Sequence, residues 1–139
     1  MTESEQPPVS GAVEVRVPAE GTFVATLRLV AASLGARCEL TVDDIEDLRL
    51  AVDEACALIL PLAAPGTELE ARFVLAPGSL AVTASVTKGQ SDGQFDRSGF
   101  AWTVLTALAG EVDAVTAQDG RTVSITMVKR RDGAEKTAQ

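Results

Sequence analysis

Two helical runs stand back to back early in this chain, and strand-like runs then follow in pairs. That grouping limits the fold more than any single residue does. Val13-Glu14-Val15-Arg16-Val17 alternates apolar and charged side chains, the period of a half-buried strand, and Pro18 stops it. From Thr22 to Leu34, apolar residues recur at Phe23, Leu27, Val30 and Leu34 in steps of three and four. That spacing predicts a helix, with Gly35 placed to end it. A second helix is predicted from Thr41, where Asp44 three residues on resembles a capping box with a shorter acid. Asp43, Asp44, Glu46 and Asp47 crowd its first turns, where the helix dipole favours negative charge. Ile45, Leu48, Val52, Cys56 and Ile59 form its buried stripe, Pro61 ends it, and Pro65-Gly66 marks a loop.

The remaining elements follow in the same way. Strands are predicted over 68–75 and 80–86, joined at Pro77-Gly78. Residues 87–98 are polar, contain Gly89 and Gly93, and read as a loop. A third helix is predicted over 99–108, with Val104, Leu105 and Leu108 inside. Strands over 112–117 and 121–129 flank Gln118-Asp119-Gly120, and Asp-Gly between apolar runs is a hairpin signal. The order β-α-α-β-β-α-β-β predicts an α+β fold, a two-layer sandwich of a mainly antiparallel sheet with helices on one face. Residues 1–11 and 131–139 are expected to be disordered tails around one domain spanning 12–130.

Composition narrows the chemistry. The chain has 139 residues, a net charge of −8 and no histidine. Nucleic acid and anionic membranes need a basic surface, so neither is an expected partner. A basic protein partner suits the acidity, and so does simple solubility. Without histidine there is no Ser-His-Asp or Cys-His arrangement, and Cys38 and Cys56 offer no metal spacing. No apolar run is long enough to span a membrane, and the acidic, Pro-containing N-terminus is unlike a signal peptide. A cytoplasmic protein with two reduced thiols is expected.

Three stretches carry a family resemblance. Ile45-Glu46-Asp47-Leu48-Arg49-Leu50-Ala51-Val52-Asp53-Glu54-Ala55, Asp96-Arg97-Ser98-Gly99-Phe100-Ala101-Trp102, and the hairpin from Gly110 to Ile125 together resemble the anti-sigma factor serine kinases. These are a branch of the histidine kinase-like ATPase superfamily. The resemblance covers about residues 12–130 and implies the histidine kinase-like ATPase fold.

It also implies a function. Such proteins hold an alternative sigma factor away from RNA polymerase, in stress response or development. Active members phosphorylate a Ser on a STAS-type anti-sigma factor antagonist, which releases that antagonist. The family protein is a homodimer. Residues matching its sigma-binding surface on the first helix are Thr26 and Arg28, with Ser33 further along.

The nucleotide site is where the chain departs from the family it resembles. Glu54 matches the proposed general base. The family's Asn four residues later, a magnesium ligand, is here Leu58, and an apolar side chain offers magnesium no oxygen. Asp53 points about 100° away around the helix and is a poor substitute. The family's Asp-x-Gly-x-Gly matches Thr87-Lys88-Gly89-Gln90-Ser91, so Thr87 stands for the adenine-binding Asp and Gly89 for one glycine. A shifted match would use Asp92-Gly93. In the phosphate-closing segment Arg97, Ser98 and Gly99 are matched, but Ala101 occupies a second glycine position. Trp102 follows, expected in the core or an interface. Arg121 and Thr122 fall near the position that contacts adenine.

Four departures at one site predict lost or weakened ATP binding. No cofactor or metal is therefore expected, although ATP and magnesium belong to the family. The leading expectation is an anti-sigma factor. An active serine kinase using Glu54, and a sensor of a non-nucleotide molecule in the altered pocket, are the alternatives.

Overall fold

Thr41 starts the longest helix by the chemistry its sequence predicts. Its hydroxyl accepts the Asp44 backbone N–H at 3.0 Å, and the Asp44 carboxylate accepts the Thr41 N–H at 3.0 Å, a complete capping box. Such a cap contributes about 1 kcal/mol. The computed structural model describes residues 9–89 and 97–131. It contains β1 (Gly11–Pro18), α1 (Val24–Arg37), α2 (Val42–Ile59), β2 (Glu68–Ala76), β3 (Ser79–Thr87), α3 (Phe100–Ala109), β4 (Glu111–Thr116) and β5 (Thr122–Arg130). Short 3-10 turns precede α1 and follow α2, the second containing Pro61.

The five strands form one sheet in the order β1-β2-β3-β5-β4, antiparallel at every step. All three helices lie on one face: α1 over β2 and β3, α2 over β3 and β5, α3 over β4 and β5. This is the two-layer sandwich expected from the grouping of elements. Strand alternation aims Leu69, Phe73, Leu80, Val82, Ile125 and Met127 at the helices, which answer with Leu27, Leu48, Val52, Ile59 and Leu105. The opposite sheet face carries small hydroxyl residues. Thr83 bonds Thr126 and Ser85 bonds Ser124, each at 2.8 Å across β3 and β5.

Two local expectations need correction. Gly35 does not end the first helix, which runs on to Arg37. The stop lies at Glu39, in the left-handed region at φ 64°. There the Leu40 N–H bonds the Gly35 carbonyl and the Glu39 N–H bonds Ala36, each at 3.1 Å. That pattern is a Schellman motif with Glu in the place glycine usually takes. Gly35 instead makes room, since a Cβ there would sit 3.2 Å from Ile45 Cγ1. The buried stripe of α1 is also rotated: Val24, Leu27, Ala31 and Gly35 are buried, while Phe23, Val30 and Leu34 are half-buried.

The ends of the domain are also defined. Gly11, placed in the N-terminal tail by the sequence, pairs with Leu75 in the sheet. Arg131 donates its N–H to the Gly78 carbonyl at 2.7 Å. The rest of the two expected tails, 1–8 and 132–139, lies outside the described residues.

Candidate nucleotide and partner site

The site expected from the sequence is built on α2, and the two flanks of that helix differ. Asp47, Glu54 and Leu58 are seven and four residues apart, so they share one stripe. At the N-terminal end of that stripe, Lys129 reaches up from β5. Its ammonium donates to Asp47 Oδ2 at 3.2 Å and to the Leu108 carbonyl at 2.9 Å. The lysine thus ties α2, α3 and β5 together and caps a C-terminal carbonyl of α3. This stripe therefore faces β5 and α3. Further along it Glu54 is half-buried and makes no hydrogen bond or ion pair among the described residues. One turn beyond, Leu58 packs against the core.

The opposite flank is committed to α1. Arg28 donates to Asp53 Oδ1 at 2.6 Å, and both side chains are partly buried. Asp53 is therefore engaged away from the Glu54 stripe, which removes it as a substitute magnesium ligand. Arg28, assigned by resemblance to a sigma-binding surface, has its guanidinium held by its own chain. Thr26, two residues before it, is exposed on α1. Cys56 lies fully buried beneath this flank. Burial pushes its thiol up to about 12, and the Asp53 charge adds to the shift. Burial also pushes the Cys38 thiol up, offset in part by a backbone hydrogen bond from Ala76 and the charge of Arg37.

The β3 end of the expected site is arranged differently from its match. Thr87 pairs with Thr122 at the end of the β3–β5 ladder. Val86 and Val123 beside them are buried under the helices, so alternation puts Thr87 and Thr122 on the open face. The sheet thus separates this threonine pair from Glu54 and Leu58. Gly89 has a packing role. Its N–H bonds the Leu62 carbonyl at 3.0 Å, and a Cβ would lie 3.1 Å from Ala64 Cα. Asp92 and Gly93, the shifted match, lie outside the described residues.

Arg97 and Trp102 form a unit. The Arg97 guanidinium stacks over the indole, 5.5 Å from its centroid, and donates to the Ala114 carbonyl of β4. Arg97 thereby covers part of the β4 edge. Gly99 is the N-cap of α3 in an extended conformation at φ −80°, a geometry that does not require glycine. Ser98 is exposed just before it, and Ala101 is half-buried in the first turn of α3.

The sequence reading missed three of these contacts. The Lys129 tie has a signal, because Lys129 continues the inward parity of Val123, Ile125 and Met127. The Arg28–Asp53 pair and the Arg97–Trp102 stack have none, since each depends on tertiary placement.

Residues 17–128 match the model of the histidine kinase-like ATPase domain. The chain belongs to this family. It is 39% identical over 112 residues to an anti-sigma-F factor RsbW of Mycobacterium tuberculosis, an alignment covering 79% of this chain and 64% of that protein. The chain thus spans less than two thirds of that relative's length. A serine-protein kinase RsbW of Bacillus velezensis is 46% identical over 44 residues, 32% of this chain and 28% of the kinase. Among solved structures, the RsbU and RsbW domains of a Mycobacterium tuberculosis protein superimpose with a TM-score of 0.64. At 15% identity, over 86% of this chain and 32% of the other, that likeness bears on the fold.

The family's ATP and magnesium can be tested against this donor set. Magnesium requires hard oxygen ligands in near-octahedral array. Leu58 offers none, Asp53 is held by Arg28, and the described residues contain no group of three His, Cys, Asp or Glu side chains able to hold a metal. Among them Glu54 is the one carboxylate of the α2 motif left uncommitted. The residues present do not fit the family's magnesium site.

Proposed function

We propose that this protein is an anti-sigma factor that sequesters an alternative sigma factor from RNA polymerase by occlusion, with lost or weakened ATP binding. The observation that carries the first half is the 39% identity over 112 residues to a protein named anti-sigma-F factor. The apolar Leu58 on the Glu54 stripe supports the second. Release then falls to a STAS-type antagonist that competes for the protein, or to a ligand. The functional unit is a homodimer, and Thr26 on the exposed side of α1 belongs to the sigma surface.

One observation favours an active serine kinase as the alternative to this reading. Glu54 is half-buried and unpaired among the described residues, as a general base aimed at a partner hydroxyl needs to be.

Calorimetric titration with ATP and magnesium, beside titration with a purified alternative sigma factor, tests the proposal. Sigma binding with no nucleotide heat is the expected result. Micromolar ATP binding together with phosphate transfer to an antagonist Ser would overturn the lost-nucleotide half. Failure to bind any of the source organism's alternative sigma factors would overturn the other half.

A further inference from the structure

Every described Lys or Arg but three either meets a carboxylate or, in the case of Arg97, stacks on Trp102. The three are Arg37, Lys88 and Arg121. Arg37 stands by itself in the last turn of α1. Lys88 and Arg121 are neighbours.

The Lys88 N–H bonds the Arg121 carbonyl, one step past the Thr87–Thr122 pair that ends the β3–β5 ladder. The two residues stand directly opposite each other, a placement that sets Cβ atoms about 5 Å apart. Their side chains also share a side. Val86 is two residues before Lys88 and Val123 two residues after Arg121, and both valines are buried under the helices. Alternation therefore sends Lys88 and Arg121 to the helix side as well. Ala63 completes the row, since it bridges Lys88 from the other flank and packs against the core. This row lies at the end of the sheet where α2 stops. Lys88 is half-buried and Arg121 exposed.

No carboxylate answers the two charges among the described residues. Asp119 is the nearest in sequence, but its carboxylate accepts the Arg121 backbone N–H at 2.8 Å and makes no ion pair with the guanidinium. The end of α2 does not use them either. There the Leu60 N–H bonds the Cys56 carbonyl and the Ala63 N–H bonds the Leu60 carbonyl, so the chain closes on its own backbone. Like charges directly opposite each other destabilise a sheet. A chain of net charge −8 has carboxylates to spare, yet it keeps this pair without one. A bound anion relieves the repulsion.

We propose that Lys88 and Arg121 form a binding site for a small phosphate monoester. Two positive charges match the charge of about −1.5 to −2 that such a group carries at neutral pH. The arginine fork can donate two parallel N–H bonds to two phosphate oxygens, and the lysine supplies a point charge to the third. A carboxylate ligand leaves one of the two cations unmatched. The pair neutralises the phosphate without a metal, in a chain whose α2 offers magnesium no ligand set. Control of sigma release by such a ligand rests on the function proposed above, whereas the phosphate site rests on the two cations alone.

The test is a titration of the purified full chain, without sigma factor, followed by amide NMR at fixed ionic strength. The probes are inorganic phosphate, glycerol 3-phosphate and acetate. Both phosphates are expected to shift the Lys88 and Arg121 amides saturably, and acetate to produce no saturation. Lys88→Gln and Arg121→Gln should each weaken binding by about tenfold, and the double variant should show none. Arg37→Gln removes the isolated cation and should bind like the wild type. Circular dichroism checks that the variants fold. Saturation by acetate equal to that by phosphate overturns the proposal. So does a double variant that binds like the wild type, or an Arg37→Gln chain that loses as much affinity. Saturation by inorganic phosphate alone would make this a site for the free ion. A phosphoserine peptide that saturates where glycerol 3-phosphate does not would make it a protein-docking site. Either result overturns the assignment to a small monoester. Sigma binding enters none of these measurements, so the anion site can fail while the function stands.

Discussion

The two flanks of α2 carry adjacent carboxylates with different fates. Asp53 is bound to Arg28 of α1 at 2.6 Å and lies beside the buried Cys56. Glu54, the next residue, has no partner among the described residues, although it too is half-buried. A rotation of about 100° around the helix separates a side chain that holds the fold from one that does nothing visible for it. An uncommitted carboxylate is available for work on a partner, and a paired one is not. The resemblance implies a second polar group on the Glu54 flank, and Leu58 gives that position to the core.

The largest expected effect lies on the committed flank. The ordinary cysteine value is 9.0 and the folded value for Cys56 is about 12. As pH rises above 9 the unfolded chain loses this proton and the folded chain keeps it. Deprotonation therefore favours the unfolded state, and stability falls between pH 9 and about 12. The loss is on the order of a few kcal/mol at its limit. Urea midpoints measured across that range should fall more steeply for the wild type than for Cys56→Ala. Equal slopes would mean that the thiol is not shielded as the packing implies.

Next comes the packing beyond the end of α2. Gly89→Ala puts a methyl 3.1 Å from the Ala64 backbone and should cost about 1–3 kcal/mol in thermal or urea unfolding. A neutral Gly89→Ala would show that the segment relaxes freely, and that Gly89 is not fixed by packing.

Local periodicity made most of the fold readable in advance. The element order, the Thr41 cap and the Asp119-Gly120 hairpin depend on near neighbours in sequence, and these stood clear. The end of α1 was misread because a glycine is the usual stop, whereas here Glu39 takes the left-handed position and Gly35 serves packing against Ile45. At the site, the motif order around Glu54 and Leu58 was visible, since both lie on one helix. The side of the sheet taken by Thr87 and Thr122 was not. It depends on strand parity, which a motif match ignores. The commitment of Arg28 to Asp53 joins residues 25 apart on different helices, and no local pattern announces it.

That pair supplies a smaller prediction. Asp53→Ala leaves the half-buried Arg28 guanidinium without its carboxylate and should lower stability by about 1 kcal/mol, after allowance for its solvent exposure. If the stability is unchanged, the two flanks are energetically alike and the contrast between them fails.

Glu54→Ala should have the smallest effect on the fold, within about 0.5 kcal/mol, because alanine is the better helix former and no partner is lost. Its effect on function is the sharper measure. An anti-sigma factor acting by occlusion should hold its sigma factor equally well with alanine at this position. A kinase using Glu54 as general base should lose phosphate transfer while keeping its fold and its partner. Stability and partner binding measured on the same variant therefore separate a carboxylate kept for chemistry from one left over when Leu58 joined the core.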